Sequence, residues 1–358
     1  MSDQSASRVA TLPPGIFAMV MASGIIAVAS SQQGITWLAD VLYVIAAVMY
    51  VVLMVMLLGR VIRFPRAFFA DLTSHERGFA FLTTVAATNV LAAASALLHG
   101  WWGLAWGLWW LALALWPVFV YITLVAVVIG KDKPGLEHGI NGTWFLLTVS
   151  TESIAVVAGL LLTHHDADLL AFLAMSAFTL GLVLYLVVMT VDFIRGTFRR
   201  LDPEEIDPPA WIAAGAMAIT VLAGSNLLIA APESQALAQL TQFLQGITIL
   251  AWATATFWLP LMVALGAWRH ILNRVPLRYA PAYWSLVFPI GMYGAATFQM
   301  LKAIRLDHLG WLPQVALAAA LATWTLTFAA LLHHLARLIA KRPAAGKTDG
   351  RKTSPRRS

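Results

Sequence analysis

The chain has 358 residues, of which 60% are hydrophobic and only 11% are charged, with a formal net charge of +6. Soluble domains carry about a quarter charged residues, so this composition excludes an ordinary soluble protein. The absence of cysteine excludes disulfides and thiolate metal ligands. The positive charge requires no nucleic-acid partner, because basic residues of a membrane protein set its topology and contact anionic membrane lipid.

Ten apolar stretches run along the chain, and each is close to the roughly 20 residues that a helix needs to cross a bilayer. We therefore predict an all-α integral membrane protein with a transmembrane domain over residues 14–340. A short tail, 1–13, precedes this domain, and a basic, polar tail, 341–358, is predicted to be disordered. The predicted spans are 14–32, 38–59, 79–98, 103–129, 143–162, 169–194, 209–230, 242–267, 281–301 and 312–339.

The odd-numbered spans recur at a nearly constant distance. Each is followed by a second apolar stretch and then by a basic, polar loop. A long fixed period indicates one supersecondary unit repeated around an axis. We therefore predict five hairpins in a quasi-five-fold arrangement around a central pore. The odd spans begin near Pro14, Phe79, Thr143, Pro209 and Pro281, which are 65, 64, 66 and 72 residues apart.

The basic residues give this chain an orientation. Ten alternating spans place 21 of the 23 Lys and Arg residues on one side and leave only Lys302 and Arg305 on the other. Lys and Arg are retained on the cytoplasmic side during insertion, so both termini are predicted to be cytoplasmic in a multi-pass protein of the cell (inner) membrane. Lys302 and Arg305 then supply positive charge to the external vestibule.

The odd spans are rich in small and weakly polar residues. Such residues allow close helix packing, and they also tolerate water, so an inner ring of odd helices around a pore is the second interpretation. The asparagines are also suited to hydrogen bonds between helices. Candidate pore-lining or coupling residues are Gly24, Asn89, Glu152, Asn226 and Gly291.

Glu152 lies ten residues into the fifth span, with no basic residue near it in sequence. A carboxyl group at mid-membrane is costly and usually faces a bundle interior or water. Three roles remain open: a proton-coupling group, a side chain that lines the pore, and a neutral acid hydrogen-bonded between helices.

The chain resembles the tellurite-resistance/dicarboxylate transporter family, which includes the plant slow anion channels. The opening segment from Pro14 to Ile25 is similar to the family's P-G-x-F-x-x-V-M-x-x-G-I, and similar segments occur in spans 5, 7, 8 and 9. Gln299 stands where bacterial relatives often carry an arginine. The resemblance implies ten helices in five hairpins, a central pore, homotrimers, and small anions or organic acids as substrates.

Phe288 is the predicted pore gate, because the resemblance implies that an aromatic side chain of span 9 plugs the pore. Pro289 beside it cannot donate a backbone N–H, so the carbonyl of Ser285 loses its helical partner and a kink is predicted. A phenylalanine on the inner side of such a kink would narrow a channel hydrophobically. The alternative is an ordinary packing residue next to a structural kink.

No nucleotide-binding or nucleophile motif occurs, and no cofactor or metal is predicted. The run from His164 to Asp168 is interpreted as a solvated turn rather than a metal site. The predicted function is an anion channel or transporter. One rival is a proton-coupled carrier of C4-dicarboxylate, sulfite or tellurium oxyanions that uses Glu152. A membrane enzyme or scaffold is the other, and the lack of a clustered catalytic constellation argues against it.

Overall fold

The computed structural model describes residues 9–164, 168–200 and 202–340, in which every secondary-structure element is a helix and no β-strand occurs. The predictions for residues 1–8 and for the C-terminal tail, 341–358, lie outside the described residues. The ten long helices are α1 Ala18–Gln32, α2 Thr36–Arg63, α3 Leu82–His99, α4 Trp102–Ile129, α5 Leu146–Leu162, α6 Asp168–Phe198, α7 Ile212–Ala230, α8 Thr241–Ala267, α9 Trp284–Ile304 and α10 Trp311–Ala340.

Nine of these helices, with their flanking turns, are long and apolar enough to cross a membrane within the described part of the chain. The helix outside this group is α9, although its 21 residues satisfy the length requirement. Its composition explains the difference, because glycines, Pro289, Thr297 and Gln299 take places that aliphatic residues hold in the other helices. The prediction of an all-α membrane protein is therefore confirmed.

A 3₁₀ turn precedes each odd-numbered helix and marks the sequence repeat. Each turn runs directly into its helix, and the last residue of every turn is aromatic. The first residues of the turns lie within one residue of the predicted repeat starts. The turns are Pro14–Phe17, Gly78–Phe81, Gly142–Phe145, Pro208–Trp211 and Pro281–Tyr283.

The odd-numbered helices form the interior of the protein. Helix α1 packs on α3, α3 on α5, α5 on α7, α7 on α9, and α9 returns to α1. Each odd helix also packs against the even helix that follows it. In the membrane-length windows of α1, α3, α5 and α7, 83–100% of the residues are buried, against 17–33% in the even helices. Small residues on the odd helices permit this close packing.

Hydrogen bonds join four of the five outer helices, α2, α4, α8 and α10, to the inner helix of the next hairpin. In each bond an aromatic residue of an even helix meets a hydroxyl of the following odd helix, and the last of these bonds joins α10 back to α1. Such buried polar pairs fix the rotation of one helix against the next. The pairs are Tyr50–Thr88 at 2.9 Å, Trp116–Thr151 at 2.9 Å, Trp252–Thr297 at 3.1 Å and Trp324–Ser23 at 2.9 Å.

A buried ion pair fixes the segment before the first turn. The side chain of Arg60, at the end of α2, is 2% exposed and lies 2.5 Å from Asp71. Its guanidinium also donates to the carbonyl of Leu12 at 2.8 Å. Asp71 belongs to the short helix Pro65–Leu72 and accepts a second bond from the half-exposed Arg77 at 2.7 Å. The Arg60 side chain thus ties the start of the first hairpin to the loop that leads to the second.

Candidate functional site

A narrow cavity lies between the five inner helices, toward their C-terminal ends. Its volume is about 20 Å³, which is room for about one water molecule. Side chains from all five inner helices line it, and none of the lining residues is charged. The cavity is therefore too small to hold an anion together with its hydrating water.

The lining residues occupy equivalent positions of the repeat. One layer stands eleven residues after the first residue of each 3₁₀ turn, and a second stands eighteen residues after it. With a rise of about 1.5 Å per residue, the two layers are about 10 Å apart along the axis. The layer at eleven residues is Ile25, Asn89, Ser153, Ile219 and Met292, and the layer at eighteen includes Gln32, Leu160, Asn226 and Gln299.

Each inner helix contributes one polar side chain to these layers. The first polar layer consists of Asn89 and Ser153, and the second polar layer consists of Gln32, Asn226 and Gln299. Val28, Val156 and Leu222 line the cavity between them. The cavity thus carries two groups of uncharged polar side chains with apolar residues beside and between them.

The polar side chains are held by bonds between helices. Asn89 Nδ2 donates to Ser153 Oγ at 2.9 Å, and Ser153 Oγ donates to the carbonyl of Ser150 at 2.7 Å. In the second polar layer, Gln299 Nε2 donates to Asn226 Oδ1 at 2.9 Å, and Asn226 Nδ2 donates to the carbonyl of Val156 at 3.0 Å. These bonds fix which way each side-chain amide faces. An acceptor oxygen can bond the amide nitrogen, which carries hydrogens, but not the amide oxygen.

Phe288 lies one helical turn before the cavity-lining Met292 and is 1% exposed. Residues four apart share a helix face, so Phe288 is on the same side of α9 as the cavity. The equivalent residues of the other repeats stand seven positions after the first residue of each turn. All are buried, and together they form an apolar layer next to the cavity: Met21, Val85, Val149, Gly215 and Phe288.

Pro289 packs against α7 at Gly215. A Cβ at residue 215 would lie 2.8 Å from Pro289 Cγ, so only glycine permits this approach. Helix α9 continues through Pro289 from Trp284 to Ile304. Gly291 makes a similar approach to α1, where a Cβ would lie 2.9 Å from Ile26 Cγ1. These small residues bring α9 close to its neighbours beside Phe288.

Gly24 and Gly291 pack helices together and are not among the residues that line the cavity. A Cβ on Gly24 would lie 2.6 Å from Val90 Cγ1 of α3. Of the candidate pore-lining residues, Asn89 and Asn226 therefore line the cavity. Lys302 and Arg305 are exposed at the C-terminal end of α9. Arg305 closes that helix in the left-handed conformation, with φ 56°.

Glu152 faces away from the cavity lining. Its neighbour Ser153 lines the cavity, and consecutive helical residues point about 100° apart. A Cβ on Gly181 of α6 would lie 2.5 Å from Glu152 Oε1, so the carboxyl group occupies the space left by that glycine. Both carboxyl oxygens are buried, and so is the hydroxyl of Thr148 one turn earlier; none of the three has a hydrogen bond of normal geometry among the described residues, although the side chain of Thr220 of α7 interacts with the carboxyl group.

A second cavity, of about 260 Å³, lies at the end of α6 and the start of α7. Arg195 lies 3.7 Å from Asp192 and 3.3 Å from Glu205, and all three line this space. Burial raises the pKa of Asp207 to about 6, against the opposing attraction of Arg269 and Arg195. This cavity holds charged groups and is separate from the uncharged cavity between the inner helices.

Sequence reasoning missed Gln32 and Ser153 as cavity-lining residues and noted Gln299 only as a departure from relatives. The repeat itself carried the signal, because Gln32, Asn226 and Gln299 share one distance from the starts of their turns. No group of His, Asp or Glu residues suited to a metal occurs in the described ranges. His165 and Asp166 of the candidate metal run lie outside the described residues.

Comparison with known proteins supplies the context for this site. Residues 11–332 match the family model described as voltage-dependent anion channel. The chain is 38% identical over 158 residues to an uncharacterized membrane protein of Mycobacterium tuberculosis strain H37Rv. This aligned segment covers 44% of this chain and 80% of that protein. The chain is also 24% identical over 314 residues to an uncharacterized transporter of Methanocaldococcus jannaschii. That alignment covers 83% of this chain and 87% of the transporter.

Proposed function

Because this chain belongs to the voltage-dependent anion channel family, we propose that it passes small anions or organic acids across a membrane between its five inner helices. The observation that carries the proposal is the cavity that all five of these helices line with uncharged side chains. Channels for cations usually carry rings of acidic side chains. The one acidic residue within the inner helices, Glu152, lies against Gly181 of α6 instead.

The proposed passage is closed at the apolar layer that contains Phe288. A narrow apolar neck excludes water, and an anion without water cannot cross it. Gly215 occupies the equivalent position on α7 and adds no side chain to this layer, and Pro289 of α9 fills the space beside it. Movement of the Phe288 ring is therefore the proposed gating step, and Pro289 fixes the ring's starting position by packing on Gly215.

The proposed membrane protein has ten transmembrane helices as five hairpins in a quasi-five-fold arrangement, and three copies form a trimer. Helix α9 counts as the tenth span because its two neighbours in the ring, α1 and α7, satisfy the length and composition requirement. Both termini are proposed to be cytoplasmic. Lys302 and Arg305 then stand at the external mouth, where their charge attracts anions.

The direct test of function is flux through purified protein in liposomes. Vesicles loaded with chloride, nitrate or a C4-dicarboxylate should release each permeant anion down its gradient, and empty vesicles should not. Absence of flux for every anion tried, from protein that remains folded after reconstitution, would contradict the proposed function.

The proposed topology predicts the position of reporters fused to the chain. A reporter after Arg200 should be cytoplasmic, and one inserted near Glu233 should be external, because 21 of the 23 basic residues then lie inside. Since the chain has no native cysteine, labelling of single introduced cysteines with an impermeant reagent provides an independent check. A cytoplasmic result at Glu233 would contradict the arrangement of ten spans.

Proton-coupled transport is a second candidate function, and the buried Glu152 favours it. A carboxylate without a hydrogen-bond partner at mid-membrane is costly, whereas the neutral acid fits such a pocket far better. A residue that gains and loses a proton during transport would couple proton movement to the passage of C4-dicarboxylate, sulfite or tellurium oxyanions. Its pocket between α5 and α6 is separate from the central cavity.

The variant Glu152→Gln tests this role, because glutamine keeps the volume of the side chain and cannot ionise. Since Glu152 faces away from the passage, we expect Glu152→Gln to retain anion flux and anion selectivity. The internal pH of the liposomes under an anion gradient reports proton movement. Proton movement that is present in the wild type and absent in Glu152→Gln would favour the coupled carrier. A changed anion selectivity would instead place this side chain in the passage.

A further inference from the structure

Two side-chain carbonyl oxygens of residues that line the central cavity have no hydrogen-bond partner among the described residues. They are Oδ1 of Asn89 in the first polar layer and Oε1 of Gln32 in the second polar layer. Asn89 is 1% exposed. A buried acceptor without a donor is costly, so each of these oxygens favours a species that brings a donor.

The positions of these oxygens follow from the bonds that the amide nitrogens make. Ser153 Oγ donates its hydrogen to the carbonyl of Ser150, so Asn89 must present its nitrogen to Ser153 and its oxygen elsewhere. Gln32 Nε2 donates to the carbonyl of Ala295 at 3.4 Å, which likewise leaves Oε1 unpaired. An exchange of oxygen and nitrogen in Gln32 would face two carbonyl oxygens toward each other, and the same exchange in Asn89 would require the hydroxyl of Ser153 to give up its bond to Ser150.

The same layers also offer donors. An amide nitrogen carries two hydrogens, and the nitrogens of Asn89, Gln32, Asn226 and Gln299 each make one hydrogen bond. One N–H of each amide therefore remains for another acceptor. Each layer thus combines amide N–H groups with an unpaired carbonyl oxygen, and the two layers stand in series along the passage.

We propose that the two polar layers select monoanions that carry an O–H group, such as hydrogencarbonate, hydrogensulfite or a hydrogen dicarboxylate, over anions of similar size without one. This inference rests on the proposed function and names the substrate class of its passage. The amide N–H groups donate to the anionic oxygens, and the O–H of the anion donates to Asn89 Oδ1 and then to Gln32 Oε1. An anion without O–H leaves both carbonyl oxygens unpaired.

The physical basis of this selectivity is an asymmetry in the cost of hydrogen bonds. A site built to bond a substrate hydroxyl discriminates strongly against an analogue that lacks it, because the polar groups of the site stay unpaired. The first polar layer is also the point at which an anion leaves the apolar layer of Phe288, about 6 Å away along the helix. Replacement of lost hydration is most valuable there, because the apolar layer provides no polar contact.

Hydrogencarbonate and nitrate provide a matched pair for the test, because both are planar monoanions with three oxygens and only hydrogencarbonate carries O–H. Reversal potentials in planar bilayers, with one anion on each side at fixed carbon dioxide pressure, give the permeability ratio. We expect the ratio of hydrogencarbonate to nitrate to fall about tenfold in Asn89→Leu, which corresponds to the loss of about 1.4 kcal/mol. Gln32→Met, at the other layer, should lower it in the same direction.

Gln33→Met is the matched control. Gln33 is the neighbouring glutamine, but its Nε2 donates to the carbonyl of Pro313 at 2.9 Å and it does not line the cavity. The ratio of hydrogencarbonate to nitrate permeability in Gln33→Met should equal that of the wild type. The measurement is repeated in Phe288→Ala protein, in which the gate is expected to be open.

The outcomes separate this inference from the proposed function. Currents with an unchanged ratio in both Asn89→Leu and Gln32→Met would overturn the inference and leave anion passage intact. Absence of current for both anions in wild-type and Phe288→Ala protein would overturn the proposed function and this inference with it. If Asn89→Leu fails to assemble, the permeability ratio of Gln32→Met at the second polar layer tests the inference by itself, and an unchanged ratio overturns it.

Discussion

Replacement of Phe288 by alanine is expected to raise anion flux per folded protein by at least about tenfold, since a barrier lower by about 1.4 kcal/mol has that effect. The ring belongs to the apolar layer next to the cavity and is 1% exposed, and its removal should let water enter the narrow neck. Phe288→Leu should give an intermediate flux because part of the apolar bulk remains. Flux from liposomes, normalised to the amount of folded protein, measures the change.

Phe178→Ala is the control for this experiment. Phe178 of α6 is also fully buried, and it packs near Gly224 of α7, away from the cavity lining. Truncation there should create a cavity and cost about 3–5 kcal/mol of stability without a rise in flux. A Phe288→Ala protein that assembles normally and conducts no better than the wild type would show that Phe288 is an ordinary packing residue.

Replacement of Asp71 by alanine should cause a large loss of stability. Arg60 is 2% exposed and would keep its charge without its anionic partner. Removal of one member of a buried ion pair costs about 3–5 kcal/mol. The melting temperature in detergent should fall, and the segment around Leu12 should become more accessible to protease, because Arg60 also donates to the carbonyl of Leu12.

Two further variants distinguish the buried charge from the simple loss of a contact. Arg77→Ala removes the half-exposed partner of Asp71 and should cost no more than about 1 kcal/mol. The double variant Arg60→Met with Asp71→Leu should recover much of the lost stability, because an apolar pair leaves no buried charge. A melting temperature of Asp71→Ala equal to that of the wild type would show that Arg60 is solvated in solution.

The sequence by itself determined the membrane-helix class, the repeat and the inner position of the odd helices. Apolar length decides whether a segment fits the bilayer, and the period of small and weakly polar residues distinguishes the closely packed inner helices from the bulky outer ones. These are local properties, so they can be read without contacts. Helix α9 is the weakest case, because its glycines and Gln299 lower its apolar character.

Only the tertiary structure decided which polar residues meet and which way they face. Neighbours in sequence point about 100° apart on a helix, so Ser153 faces the cavity while Glu152 faces Gly181. The approach of α7 to α9 at Gly215 and Pro289, and the amide bonds from Gln299 through Asn226 to Val156, join residues about 70 positions apart. Such contacts depend on the rotation of each helix about its axis, which the packing of the whole ring sets and no single segment encodes.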